Sequence, residues 1–271
     1  MVCMTYSDAL KKRLKTGAVV AGPWCILPSS DIIEIIAKTG MDFVIVDMEH
    51  GPHSTEHLVD MIRSADIYGC AALVRVAKND ESHILHALDI GATGLLVPHI
   101  ESREDAERAI KYAKYHPLGN RGFSPYTRAG GFSPDDIKQH AQVQNARTVL
   151  GLLLEGIQGI NNLDDILSIQ DISEKIDFIY IGAYDLSQAV GCPGEIDHPE
   201  VRRHLTVCIK KIRDAGIAPG GYVAKQGEDM RWMCDMGMQI ITLLPDLTLI
   251  YNAFADTHRI FKQIVQKEGR I

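Results

Sequence analysis

"DFVIVDMEHGPHS", Asp42 to Ser54, is the stretch on which the reading of the fold turns. Its first part, Phe43 to Asp47, starts as a core strand: Phe43 to Val46 are continuously apolar, so covered on both faces rather than half-exposed. It then becomes abruptly polar, with Asp47, Glu49 and His50, and with His53 and His57 close behind. Pro52 and Ser54 mark a turn into a helix. A buried strand that ends in charged groups and passes into a helix is the repeating unit of a parallel α/β fold.

The unit recurs. "AVVAGPWCIL", "AALVRV", "GLLVPHI", "TVLGLLLE", "DFIYIG", "APGGYV" and "QIITLLP" are further apolar runs. Helical patterns lie between most of them, over Ser54–Tyr68, Glu81–Ile90, Arg103–Tyr115, Ile160–Ser168, Pro199–Ala215 and Gly227–Met236. Eight such strands in 271 residues predict a (β/α)8 TIM barrel, one α/β domain over residues 1–271. A doubly wound sheet fits less well, because no GxGxxG follows the first strand. No linker divides the chain.

Composition narrows the function classes. The chain is 46% hydrophobic and 23% charged, an ordinary globular balance. Its net charge is −7 and its basic residues are scattered, which argues against nucleic-acid and acidic-membrane partners. Cys3, Cys25, Cys70, Cys192, Cys208 and Cys234 are widely spaced with no CxxC pair, as in a reduced cytoplasmic protein. The N-terminal "MVCMTYSDALKKRLKTG" lacks the apolar core of a signal peptide. No run approaches the roughly 20 apolar residues of a membrane helix.

In such barrels the carboxyl ends of the strands form the active-site mouth. Asp47-Met-Glu49-His50, Arg75, Pro98-His99, Glu155, Asp185, Tyr222 and Pro245-Asp246 all fall at or just past strand ends. Glu155 and Asp185, on adjacent strands, suit a hard divalent ion with open coordination positions. Each could instead cap a following helix. His53 and His57 have i, i+4 spacing, but without HExxH they read as an exposed first turn. His50, nearest the strand end, could be an acid–base group oriented by Asp47, or a structural histidine. Arg75 in "LVRVA" either forms a buried salt bridge or holds an anionic oxygen at the mouth.

No strand run contains a lysine; Lys78 and Lys225 come later, in loops. A Schiff-base mechanism needs a lysine in the pocket, so any carbon–carbon chemistry is expected to use a metal-stabilised enolate. The loop "HPLGNRGFSPYTRAGGFSPDD", His116 to Asp136, carries Arg121 and Arg128 as groups for an anionic substrate or as solvated surface residues.

Together, "DFVIVDMEHGPHS", "VRVAKNDESHILHALDIGATGLLVPHIES", "HPLGNRGFSP" and "FIYIGAYDLSQAVGCPGEIDHPEV" resemble the HpcH/HpaI class II pyruvate aldolases, from about Val20 to Asp246. The resemblance implies a retro-aldol cleavage of a 4-hydroxy-2-oxo acid to pyruvate and an aldehyde. It implies metal binding by Glu155 and Asp185, with magnesium, manganese or cobalt. Arg75 then stabilises the enolate, Asp47 and His50 form the catalytic pair, and Gly182 and Ala183 bind the pyruvate carboxylate. Asp89 corresponds to an aspartate contributed by the neighbouring subunit. The family pattern also implies a homo-oligomer, a hexamer built from dimers with exchanged C-terminal helices. Some relatives run citrate-type condensation or oxaloacetate decarboxylation on the same enolate, and a non-catalytic barrel binding a 2-oxo acid is a further alternative. Leu153 replaces a glutamine common in the family, and "GAYD" replaces "GPAD", with Ala183 and Tyr184 as the changed residues.

Overall fold

The computed structural model describes residues 6–133, 137–223 and 227–267; Cys3, Asp136 and Lys225 lie outside them. Eight parallel strands close into a barrel in chain order: β1 Val20–Cys25, β2 Phe43–Asp47, β3 Ala71–Arg75, β4 Gly94–Val97, β5 Val149–Leu154, β6 Phe178–Ile181, β7 Ala218–Tyr222 and β8 Ile240–Leu243. Val20 pairs with Ile240 to close the ring. The expected TIM barrel is therefore present, with helices following the strands.

Two apolar layers follow from the period-two geometry of the strands. Phe43, Ile45, Ala71, Leu73, Leu96, Leu153, Phe178 and Ile240 fill the barrel interior. The alternate residues Val44, Val46, Ala72, Val74, Leu95, Leu152, Ile179 and Ile241 face the helices. The interior interdigitates large against small. A Cβ on Gly151 would lie 2.0 Å from the Phe178 ring, so only glycine leaves room for that phenyl group. The helix Tyr6–Lys15 places Leu10 and Leu14 in the interior layer, an element not read from the sequence.

Helix starts follow local capping. Ser29, Ser54 and Asp80 each accept an amide of the first turn, and Ser102 forms a capping box with Asp105. The helix expected over Ile160–Ser168 is two short helices, Ile157–Asn161 and Leu163–Leu167. Gly156, Gly159 and Asn162 are weak helix formers and break the run there.

The last helix, Asp246–Lys267, is 22 residues long and leaves the barrel. Its first residue is buried, and its carboxylate accepts the amides of Ile26, Leu27 and Leu247 at 2.7–3.1 Å. Tyr251, Phe254, Ile260, Phe261 and Ile264 are 52–72% exposed, so a single chain does not bury this apolar helix. Among the described residues no helix is long and apolar enough to cross a membrane.

Candidate active site

The strand parity that packs Phe43 and Ile45 inside the barrel carries Asp47 to the same side at the mouth. The same holds for Ala71, Leu73 and Arg75, and register sets Asp47 directly beside Arg75. A cleft of about 450 Å³ opens there, lined among others by Asp47, His50, Arg75, Glu155, Ala183 and Asp185.

Arg75 and Asp47 form a buried fork. Nε donates to Asp47 Oδ1 at 2.9 Å and Nη2 to Oδ2 at 2.5 Å. Nη1 lies 3.1 Å from Glu49 Oε2, and the guanidinium sits 4.7 Å above the Trp24 ring. Trp24 is itself held, donating from Nε1 to Thr242 Oγ1 at 3.0 Å. Burial would raise the Asp47 carboxyl, but Arg75 together with the His50 and Glu49 amides outweighs it and holds Asp47 below its ordinary value. Burial would likewise lower Arg75, and its carboxylate neighbours more than offset this. Both readings of Arg75 thus meet in one residue: a buried salt bridge whose guanidinium also lines the cleft.

Asp47 does not orient the His50 ring directly. Its Oδ1 accepts the amides of Glu49 at 3.0 Å and His50 at 3.2 Å, so it fixes the turn that carries His50. The imidazole of His50 is exposed, with no side-chain partner among the described residues.

Glu155 and Asp185 are not helix caps. Gly156 and Gly182 occupy those cap positions, without side-chain capping bonds. Glu155 Oε1 instead accepts the His99 amide at 2.8 Å and lies 2.9 Å from His99 Nδ1, while His99 Nε2 lies 2.9 Å from Glu49 Oε1. His99 adopts φ 57°, the left-handed region, which turns its amide and ring toward one carboxylate. Burial raises Glu155 above its ordinary value. The His99 amide and ring oppose that shift, while the Glu49 and Asp185 charges add to it. Gly182 lets β6 end against this group: a Cβ there would stand 2.9 Å from Glu155 Cβ. Its amide donates to Leu154 O at 2.8 Å. The uncapped amides therefore begin at Ala183, not at Gly182.

A half-buried Glu155 repelled by the exposed Asp185 fits a hard divalent cation, which would relieve that repulsion. Among the described residues no three His, Cys, Asp or Glu side chains form a closed metal cluster. Glu155 and Asp185 would supply two ligands and leave the other positions open.

Other expected residues lie elsewhere. Asp89 ends the helix Glu81–Asp89, which runs back toward the closed end of its own barrel, and pairs with Arg121 at 2.6 Å. Arg128 pairs with Asp66 at 2.5 Å. Both loop arginines are thus engaged by acids of neighbouring helices, away from the cleft. His57 sits in a first helical turn capped by Ser54, with no metal-like grouping. Sequence reasoning missed Trp24, the bridging role of His99, and Tyr180, which lines the cleft, meets the Trp24 ring edge-on and shares Thr242 Oγ1 with it. The only available signal was their place at or near strand ends.

The closed barrel thus gathers at its strand ends an arginine–aspartate fork and, lining the same cleft, Glu155 and Asp185. The HpcH/HpaI aldolase/citrate lyase model matches residues 21–253. A 4-hydroxy-2-oxo-heptane-1,7-dioate aldolase of Shigella flexneri is 31% identical over 247 residues, 91% of this chain and 90% of that one. The solved HpcH/HpaI aldolase of Desulfitobacterium hafniense DCB-2 superposes with a TM-score of 0.87 at 28% identity, over 96% of this chain and 97% of that one. A solved citrate synthase superposes with a TM-score of 0.84 at 28% identity, over 95% and 98%. The chain belongs to the HpcH/HpaI aldolase/citrate lyase family and, with it, to the carbon–carbon lyases.

Proposed function

We propose that the protein cleaves a 4-hydroxy-2-oxo acid reversibly to pyruvate and an aldehyde. The observation that carries this reading is the Arg75–Asp47 fork facing Glu155 and Asp185 across one cleft. A divalent cation held by Glu155 and Asp185 would supply the positive charge that polarises the 2-oxo group and favours its enolate. Arg75 has N–H donors left after its three carboxylate contacts, and directs them at the enolate oxygen. Trp24 and Asp47 hold that guanidinium in one plane. The amides from Ala183 onward, with no capping side chain, receive the pyruvate carboxylate. His50, carried by the turn that Asp47 fixes, moves the proton of the C4 hydroxyl.

The half-reaction is directly observable. In heavy water, pyruvate with a magnesium salt and this protein should lose its methyl proton signal by exchange, with no aldehyde present. Exchange should need Glu155, Asp185 and Arg75 and be less sensitive to loss of His50. Citrate-type condensation or decarboxylation on this site would share that exchange, whereas a barrel that only binds 2-oxo acids would not. With bound pyruvate, exchange no faster than a metal-only control refutes the enolate mechanism.

The exposed apolar helix Asp246–Lys267 supports a homo-oligomer, in which a neighbouring copy covers it. Light scattering at micromolar concentration should give a mass of two or more chains; the monomer mass of 30.0 kDa would refute this. Assembly would also be the route for Asp89 to reach a site, since in its own chain it lies at the other end of the barrel.

A further inference from the structure

The cleft has two unlike walls. Its floor holds Asp47, Arg75 and Glu155 at the strand ends, with the exposed Asp185 at its edge, and on the proposed function this is where the 2-oxo acid sits. The rest of the lining is Ile26, Tyr184, Leu244, Pro245 and Thr248 past the strand ends, with Tyr222 closing β7. Tyr184 and Tyr222 stand with ring centroids 5.5 Å apart and planes tilted by 44°. Tyr184 is 51% exposed, so a ligand would cover it at little cost in rearrangement.

Charge is just as unevenly distributed. Among the described lining residues Arg75 is the one guanidinium, there is no lysine, and His50 is the one imidazole. Arg75 already faces Asp47 and Glu49. Three carboxylates, Asp47, Glu155 and Asp185, line the same space. A carboxylate on the far end of an acceptor would meet there only the hydroxyls of Tyr184, Tyr222 and Thr248, lose water against aromatic and aliphatic side chains, and gain no cation in return. An apolar substituent would cover the same surface favourably.

We infer that the acceptor is an aldehyde with an uncharged, apolar substituent, aliphatic or aromatic, seated on the Tyr184–Tyr222 wall. This rests on the aldolase reading of the floor. It separates this chain from any aldolase whose aldehyde ends in a carboxylate. Leu153, 2% exposed beneath Glu155, extends the apolar character to the edge of the donor site.

The test compares butanal with 4-oxobutanoate, which differ in a methyl group against a carboxylate, and adds benzaldehyde. Each is offered to the holoenzyme with saturating pyruvate and magnesium, and kcat/KM for addition is read. Butanal and benzaldehyde should exceed 4-oxobutanoate by at least about tenfold, within the range that pocket contacts confer. Tyr184→Arg should narrow that ratio by about tenfold or more. Exchange of the pyruvate methyl protons is measured on the same preparation. No exchange faults the donor reading itself. Exchange accompanied by preference for 4-oxobutanoate, or by addition to none of the three, overturns the acceptor inference alone. A ratio unmoved in Tyr184→Arg would show that this wall does not face the acceptor.

Discussion

Arg75→Lys is expected to lower kcat/KM by about 100- to 1,000-fold, the usual loss when one donor to a developing oxyanion is removed. Lysine keeps the charge beside Asp47 but not the planar fork. It cannot place Nε and Nη2 on the two Asp47 oxygens while Nη1 meets Glu49 and the remaining hydrogens point into the cleft. The fold should survive, because Asp47 keeps a cationic partner. Arg75→Ala differs: it leaves a buried carboxylate unpaired, which typically costs about 3–5 kcal/mol of stability. Comparing kcat/KM with the unfolding midpoint separates the two effects. If Arg75→Lys retains kcat/KM within about threefold, the guanidinium serves only the salt bridge.

Chelation should abolish activity, and magnesium, manganese or cobalt should restore it. Two carboxylates, with most positions left to water and substrate, hold such ions loosely enough for a chelator to compete. Glu155→Gln and Asp185→Asn should each weaken manganese binding at least about 100-fold by titration calorimetry, since even groups behind the ligands contribute 10- to 100-fold. Calorimetry reads the site without any turnover. Full activity in excess chelator, or unchanged manganese binding in both variants, would rule out the metal assignment.

The barrel was legible because its strands are apolar on both faces and end in charge. Phe43 to Asp47 and Ala71 to Arg75 announce both the core and the mouth in five residues each. Glu155 and Asp185 were legible as a pair, since adjacent strand ends must bring them near one another. What was not legible depends on distances in sequence. Glu49 and His99 are 50 residues apart, and their pairing needs the left-handed turn at His99, which its neighbours do not signal. Arg121 and Arg128 read equally as substrate groups or surface residues because their partners, Asp89 and Asp66, lie on other elements. Asp47 and His50 lie close, but the contact runs through the His50 backbone amide, and side-chain spacing does not distinguish that from a ring hydrogen bond. Helix ends proved local and readable, apart from the glycine- and asparagine-interrupted segment after β5.

Asp246 gives the last helix a fixed foundation. Three amides from two separate segments converge on its carboxylate, so the helix axis is set at its root by the loop that follows β1. A 22-residue helix is a rod about 33 Å long, and a swing of about 10° at its base would carry the tip about 6 Å. The carboxylate is thus the pivot of a long lever arm, and small angular freedom there would be multiplied into misalignment at the distant apolar end. Ile26 lines the cleft and Leu27 follows it in the chain, so the same pivot ties the aim of that arm to the shape of the mouth.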